Sequence, residues 1–278
     1  MHKAIGAALL AFSLAFVAAP ARSADKLNDA QIAHIAYTAG DIDIKAAQLA
    51  LKTSKNADII AFANNMVADH QAVNDKALAL LKKLNVTPED NDVSKGLVAQ
   101  SAETQAKLAK LTGAEFDKAY AANELAYHKA VNGALEQTLI PATGNAELKA
   151  LLNTGLQIFQ GHQQHAEMLV PMPRPGILAA LSLAVAFAAL AAPAEAATIE
   201  VTIADMKFSP AAIAAKPGDT VTWTNKDFVA HTATARDKSF DVMVPAGKTA
   251  SLTVDAAGTF DYFCKFHPMM KGSIAVGE

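Results

Sequence analysis

Cys264-Lys265-Phe266-His267-Pro268-Met269-Met270 contains the chain's single cysteine, followed at three-residue intervals by an imidazole and a thioether. Donors spaced in this way can converge on one metal ion from a single tight loop. Soft sulfur ligands favour copper, which also accepts a long, weak axial thioether. A second imidazole has to come from elsewhere. His231, in Phe228-Val229-Ala230-His231-Thr232, is the only other histidine in the last hundred residues. Two imidazoles, one thiolate and a weak axial methionine are the donors of a blue copper site that carries single electrons. The plainer reading, an ordinary buried cysteine near a surface histidine, leaves the third ligand and the distant histidine unexplained.

Working outward from this loop, composition shifts at Thr198 from Ala/Leu-rich to β-branched residues alternating with polar ones. Thr198–Ile203, Thr220–Thr224 and Ala250–Val254 alternate, with turn signals at Lys216-Pro217-Gly218-Asp219, Pro245-Ala246-Gly247-Lys248 and Ala257-Gly258-Thr259. Short strands punctuated this regularly predict an antiparallel sandwich or barrel. Phe260–Phe263 is the strand that delivers Cys264, and Gly272–Val276 the strand that leaves the loop.

Residues 198–278 resemble a small cupredoxin of the amicyanin and pseudoazurin kind. The likeness covers the whole segment, including Lys216-Pro217-Gly218-Asp219-Thr220-Val221, the Trp223 strand and the short intervals of the Cys264–Met270 loop. It implies an all-β Greek-key sandwich and one type 1 copper per domain, on His231, Cys264, His267 and Met270. Met269 is the rival axial residue. The chain departs from those relatives at Phe266, where they commonly place proline, and so keeps a backbone N–H within reach of the Cys264 sulfur. His267 lies on the loop between Phe266 and Pro268-Met269, so its ring edge is expected to surface in a small apolar patch where redox partner proteins dock near His267 and Met269, while His231 is expected to be buried.

Residues 25–170 read differently. Gly and Pro are sparse, and apolar residues recur at helical spacing. Helices are expected near 28–54, 56–84, 93–111, 114–139 and 145–169, and lengths of this order with short connections predict an antiparallel bundle. Five histidines fall here. His70 lies on the stripe Met66, Val73, Ala77, Leu84; Glu124 and His128 share a stripe with Tyr120, Val131 and Leu135; His162 and His165 follow Phe159 on one face. Met66-Val67-Ala68-Asp69-His70, Phe116-Asp117-Lys118-Ala119-Tyr120 and the His162/His165 pair resemble an uncharacterised exported family with a ferritin-like helical bundle. No di-iron centre follows from that resemblance, because the Glu-x-x-His pairs are absent. The acidic candidate on the first helix is Asp43.

Met1-His2-Lys3 followed by the apolar run to Ala19 reads as a secretory signal over 1–24. A second signal-like segment over 171–197 has Arg174, an apolar core at 177–192 and Ala194-x-Ala196 before the copper domain. It leaves membrane association open. A span there would strand the copper domain in the cytoplasm and place Arg174 outside, against the positive-inside preference. Two exported proteins joined in one reading frame, working in the periplasm, is the reading that results. A net charge of −3 argues for neither nucleic acid nor an anionic membrane surface. The expected role is an electron carrier, not an enzyme. The alternatives are copper storage or delivery, and a metal-dependent bundle acting in stress response with the cupredoxin as its electron partner.

Overall fold

The structure, a computed structural model, describes residues 27–170 and 196–277. The signal expected over 1–24 and most of the apolar segment expected over 171–197 lie outside the described residues. Among the described residues, no helix is long and apolar enough to cross a membrane.

The first part is a helical bundle: α1 (Asp29–Thr53), α2 (Ala57–Leu84), α3 (Asp92–Leu108), α4 (Gly113–Ala134), a π-helical turn (Leu135–Leu139), α5 (Ile140–Ala142) and α6 (Ala146–Leu169). Asparagines start four of these helices. Asn28 and Gln31 form a reciprocal capping box on α1, Asn56 and Asn145 accept the Asp58 and Leu148 amides, and Asn91 caps α3 through Ser94. Each satisfies an amide that the first turn leaves without a partner. Asn85, at φ 53°, stops α2 in the left-handed conformation. The apolar stripes bury Phe62 and Met66 of α2 against Phe116 and Tyr120 of α4. Inside this apolar frame lies a polar interior of Asp43, Asp69, His70, Glu124, His128 and His162, all buried.

The second part is a two-sheet sandwich: β1 (Thr198–Ala204), β2 (Lys207–Ser209), β3 (Ala212–Ala215), β4 (Asp219–Asn225), β5 (His231–Ala235), β6 (Asp241–Val244), β7 (Thr249–Val254), β8 (Gly258–Phe263) and β9 (Lys271–Val276). One sheet runs β2-β1-β4-β7 and the other β3-β9-β8-β5-β6. The purely antiparallel expectation is corrected at two places: β1 pairs with β4, and β3 with β9, in parallel. Between β1 and β4 the chain crosses to the opposite sheet to lay β3 beside β9. Such crossovers, unlike hairpins, bring strands together in the same direction. In β4 the alternation is regular, sending Val221 and Trp223 inward, where Trp223 meets the Tyr262 ring edge-on.

The ligand-loop end of the sandwich sits on α2 and α6. The rings of His162 and His267 stack at 5.7 Å, and Lys76 Nζ lies 5.6 Å from the centre of the Phe228 ring.

Candidate metal centre

β8 carries the chain to Cys264, and the loop closes at once. The Cys264 amide donates to the Met270 carbonyl (3.1 Å) and the Met270 amide to that of His267 (2.9 Å). His231 opens β5, the antiparallel neighbour of β8 in the same sheet. Its Nε2 is 3.0 Å from Asp227 Oδ2, and Asp227 in turn accepts the amides of Asp205 (2.8 Å) and Met206 (3.1 Å). Asn225 ties the preceding loop down, donating to the Val229 and Val244 carbonyls and accepting the Asp227 amide. His231 is therefore fixed in orientation by groups that bind nothing themselves.

Three donors face one another. Cys264 Sγ is 3.7 Å from His231 Nδ1 and 3.7 Å from His267 Nδ1, and the two Nδ1 atoms are 3.2 Å apart. A point in their plane lies about 2.1 Å from all three, close to an ordinary metal–imidazole bond length. Each imidazole presents its Nε2 to a carboxylate, Asp227 for His231 and Asp69 for His267. With the protons on Nε2, two nitrogen lone pairs and a sulfur point into a space fully shut from solvent. A cation satisfies that arrangement, and the chemistry of the donors fits copper. Met270 is buried beside them at 2% exposure, whereas Met269 is half-buried.

The electrostatics agree. Burial pushes the Cys264 thiol up, but His231 and His267 more than offset it and bring the group down to about 5. Burial also opposes charge on His267, yet Asp69 and Cys264 hold it up at about 9.

Two expectations are corrected. The amide reaching the Cys264 sulfur is that of Thr232, at 3.3 Å, and not that of Phe266. The Thr232 amide follows His231 at the start of β5, so it points at the sulfur from the neighbouring strand. The second correction concerns His267, expected at the surface of an apolar patch and found fully buried. Its outer edge is covered by the bundle: Nε2 is 3.1 Å from Asp69 Oδ2. Gly161 leaves room for it, since a Cβ there would lie 2.8 Å from His267 Cδ2. Sequence reasoning missed Asp69 and Asp227 as the partners of the two imidazoles. Asp227 stands four residues before His231, a local signal, while Asp69 carries no such mark.

Of the five bundle histidines, His70, His128 and His162 converge. His165 instead packs edge-on against Phe62, and His34 lies 3.9 Å from Asp90.

Fold and site together define a cupredoxin sandwich seated, ligand loop first, on a helical bundle. Residues 15–169 match the family described as "Domain of unknown function (DUF4142)", and residues 177–276 the "Cupredoxin-like domain" family. Amicyanin-alpha of Methylorubrum extorquens is 38% identical over 111 residues, 35% of this chain and 93% of that protein. Amicyanin of Paracoccus denitrificans is 36% identical over 84 residues, 28% of this chain and 64% of that one. A solved Cu(I) structure of an amicyanin methionine-to-alanine mutant shares 35% identity, covering 29% of this chain and 82% of its own, with a TM-score of 0.27. The chain belongs to the DUF4142 family through its helical part and to the cupredoxin family, with amicyanins as relatives, through its sandwich.

Proposed function

We propose that this protein is an exported single-electron carrier whose type 1 copper is held by His231, Cys264, His267 and Met270. The observation that carries the reading is the buried triangle of Cys264 Sγ and two Nδ1 atoms, with Nε2–H of each imidazole held by a carboxylate. Copper held there would supply a one-electron Cu(II)/Cu(I) couple. Cys264 would hold it through the thiolate and His231 and His267 through Nδ1, with Met270, in preference to Met269, as the weak fourth donor. The Cys264–Met270 backbone closure, the Thr232 amide on the sulfur and the Asp227 anchor hold these donors still. A site that does not rearrange loses little energy to reorganisation when its charge changes by one.

Storage or delivery of copper needs open ligands that can pass an ion on. The burial of all four residues and the lack of a Met-rich tract in this segment favour electron transfer. No catalytic residue is needed for such a role. Export rests on the two signal-like segments and on a lone cysteine that a metal keeps from oxidation. Because the bundle covers His267, a redox partner protein has to reach the copper domain at another face or through the bundle.

The visible spectrum and metal content of the purified chain test the assignment. One copper on the sandwich with an intense blue band is expected, and Cys264→Ser should abolish the band with the sandwich still folded. A colourless copper-loaded wild type overturns it.

A further inference from the structure

Behind Asp69, away from the copper loop, the bundle interior holds a second set of inward donors. His70, His128 and His162 bring ring nitrogens within 4.8 Å of one another, and Asp43, Glu124 and His128 do the same. All five residues are at most 2% exposed. Asp43 pairs with His70 Nε2 at 2.6 Å and shares a hydrogen bond with Glu124. One ring nitrogen of each imidazole, His70 Nδ1, His128 Nε2 and His162 Nδ1, finds no hydrogen-bond partner among the protein groups. Buried polar atoms are almost always paired, so this many together need a common partner.

The other nitrogens of these imidazoles are, by contrast, held. His128 Nδ1 donates to the Glu124 carbonyl at 2.9 Å, which leaves the Nε2 lone pair inward, 3.8 Å from Asp43 Oδ2. His162 Nε2 donates to Asp69 Oδ2 at 2.9 Å, which leaves its Nδ1 inward. His70 stacks on Phe159 at 4.5 Å and 13°, setting its ring plane. Imidazoles oriented by a hydrogen bond on the far nitrogen are the usual form of a metal ligand.

We propose that the bundle binds a second copper ion on His70, His128 and His162, with the Asp43 and Glu124 carboxylates beside it. Imidazole donors suit copper, and among divalent first-row ions such a site would bind Cu(II) most tightly. Asp69 then stands between two metals. Its Oδ2 accepts from His162 Nε2 on one side and from His267 Nε2 on the other. With copper in both sites this bridge would give one electron a path from Cu(I) at the loop to Cu(II) in the bundle, the first being oxidised and the second reduced with no bond made or broken. This last step alone rests on the type 1 reading of the first site.

The test is to titrate the metal-free full-length chain with Cu(II), desalt it, and record copper content with the electron paramagnetic resonance spectrum. Two coppers per chain are expected, one blue and one with the wide hyperfine splitting of an ordinary tetragonal centre. Cys264→Ser should keep one, colourless and tetragonal. His128→Ala and the milder Asp43→Asn should each keep one, blue, and the surviving blue band reports that the fold is intact. A wild type that retains one copper, with His128→Ala and Asp43→Asn leaving that number unchanged, overturns the second site. A fall from two coppers to one in His128→Ala without any blue colour in the wild type would sink the type 1 reading instead and leave the second site standing.

Discussion

Asp69 of α2 accepts a hydrogen bond from His267 of the ligand loop at 3.1 Å, across 198 positions of sequence. Both side chains are buried. The contact joins the outer nitrogen of a candidate copper ligand to a carboxylate belonging to the other domain, so a change in the bundle is felt at the sandwich.

Asp69→Asn removes the negative charge facing the His267 imidazole while keeping an acceptor in place. Charge near the metal stabilises Cu(II) over Cu(I), so its loss should raise the reduction potential. A rise of about 60 mV corresponds to a tenfold change in a one-electron equilibrium. A redox titration followed at the blue band measures it. An unchanged potential would show that the two domains do not meet through this pair.

Gly161→Ala tests the packing of the same interface. The added Cβ would meet His267 Cδ2 at 2.8 Å and its Cα at 3.2 Å, neither of them a freely moving chain end. Overpacking of this kind typically costs about 1–3 kcal/mol. The expected outcome is a bundle and sandwich that separate, with the blue band kept and the His267 edge newly reactive toward an imidazole-modifying reagent. Wild-type protection of His267 in the variant would contradict the close approach.

The ligand loop was legible because Cys264, His267 and Met270 stand close in sequence and their chemistry is written in residue type and spacing. His231 followed as the one histidine left in that segment. The long helices were legible from apolar residues at helical spacing and from the scarcity of Gly and Pro. β5 was not, because the alternating Thr and Ala of His231–Ala235 carry no large apolar side chain and all five residues are buried. The short β2, β3 and β6 were missed for lack of a periodic stretch. The site at the interface was hidden for a different reason. Asp69 sits in a helix as one acidic residue among several, and only the docking of two domains gives it His162 and His267 as partners.

Acid should weaken the metal-free protein. Burial drives His162 to about 3 and His165 to about 4, despite the help that Asp69 gives His162, and also lowers His128. These rings are neutral in the folded chain and take up protons on unfolding once pH falls below 6.5. Cys264, brought down to about 5 by His231 and His267 against its burial, is a thiolate when folded and a thiol when unfolded throughout the range between 5 and 9. In both cases the unfolded state binds more protons, so stability falls as pH drops from 6.5 towards 5. His267, held at about 9 by Asp69 and Cys264 against its burial, and Glu124, raised by burial and by Asp43, bind protons in the folded chain and offset part of this loss without reversing it. Urea unfolding of the metal-free chain at pH 7 and pH 5 checks the sign. Equal midpoints would mean that these histidines are solvated in solution.

The junction between the domains yields the last prediction. Ala197, just before β1, donates its N–H to Asp219 Oδ1 at 2.8 Å, and Asp219 also accepts the Lys216 amide at 2.8 Å. Cleavage after Ala196, at the end of the second signal-like segment, would turn the Ala197 amide into a charged amine beside that carboxylate, a contact the sandwich already accommodates. Processing is therefore compatible with the folded copper domain, and initiation at Met172 followed by the same cleavage gives the same product. The burial of His267 against Asp69 and Gly161 then predicts that the bundle and the cleaved sandwich stay together as a non-covalent pair. Intact-mass analysis of the native protein, paired with size-exclusion chromatography, examines both points. A mass beginning at Ala197 that co-elutes with the bundle is the expected result. A single species still carrying residues 177–192 would show that the apolar segment is kept as a linker or anchor, and a cleaved sandwich eluting alone would show that the interface needs the covalent connection.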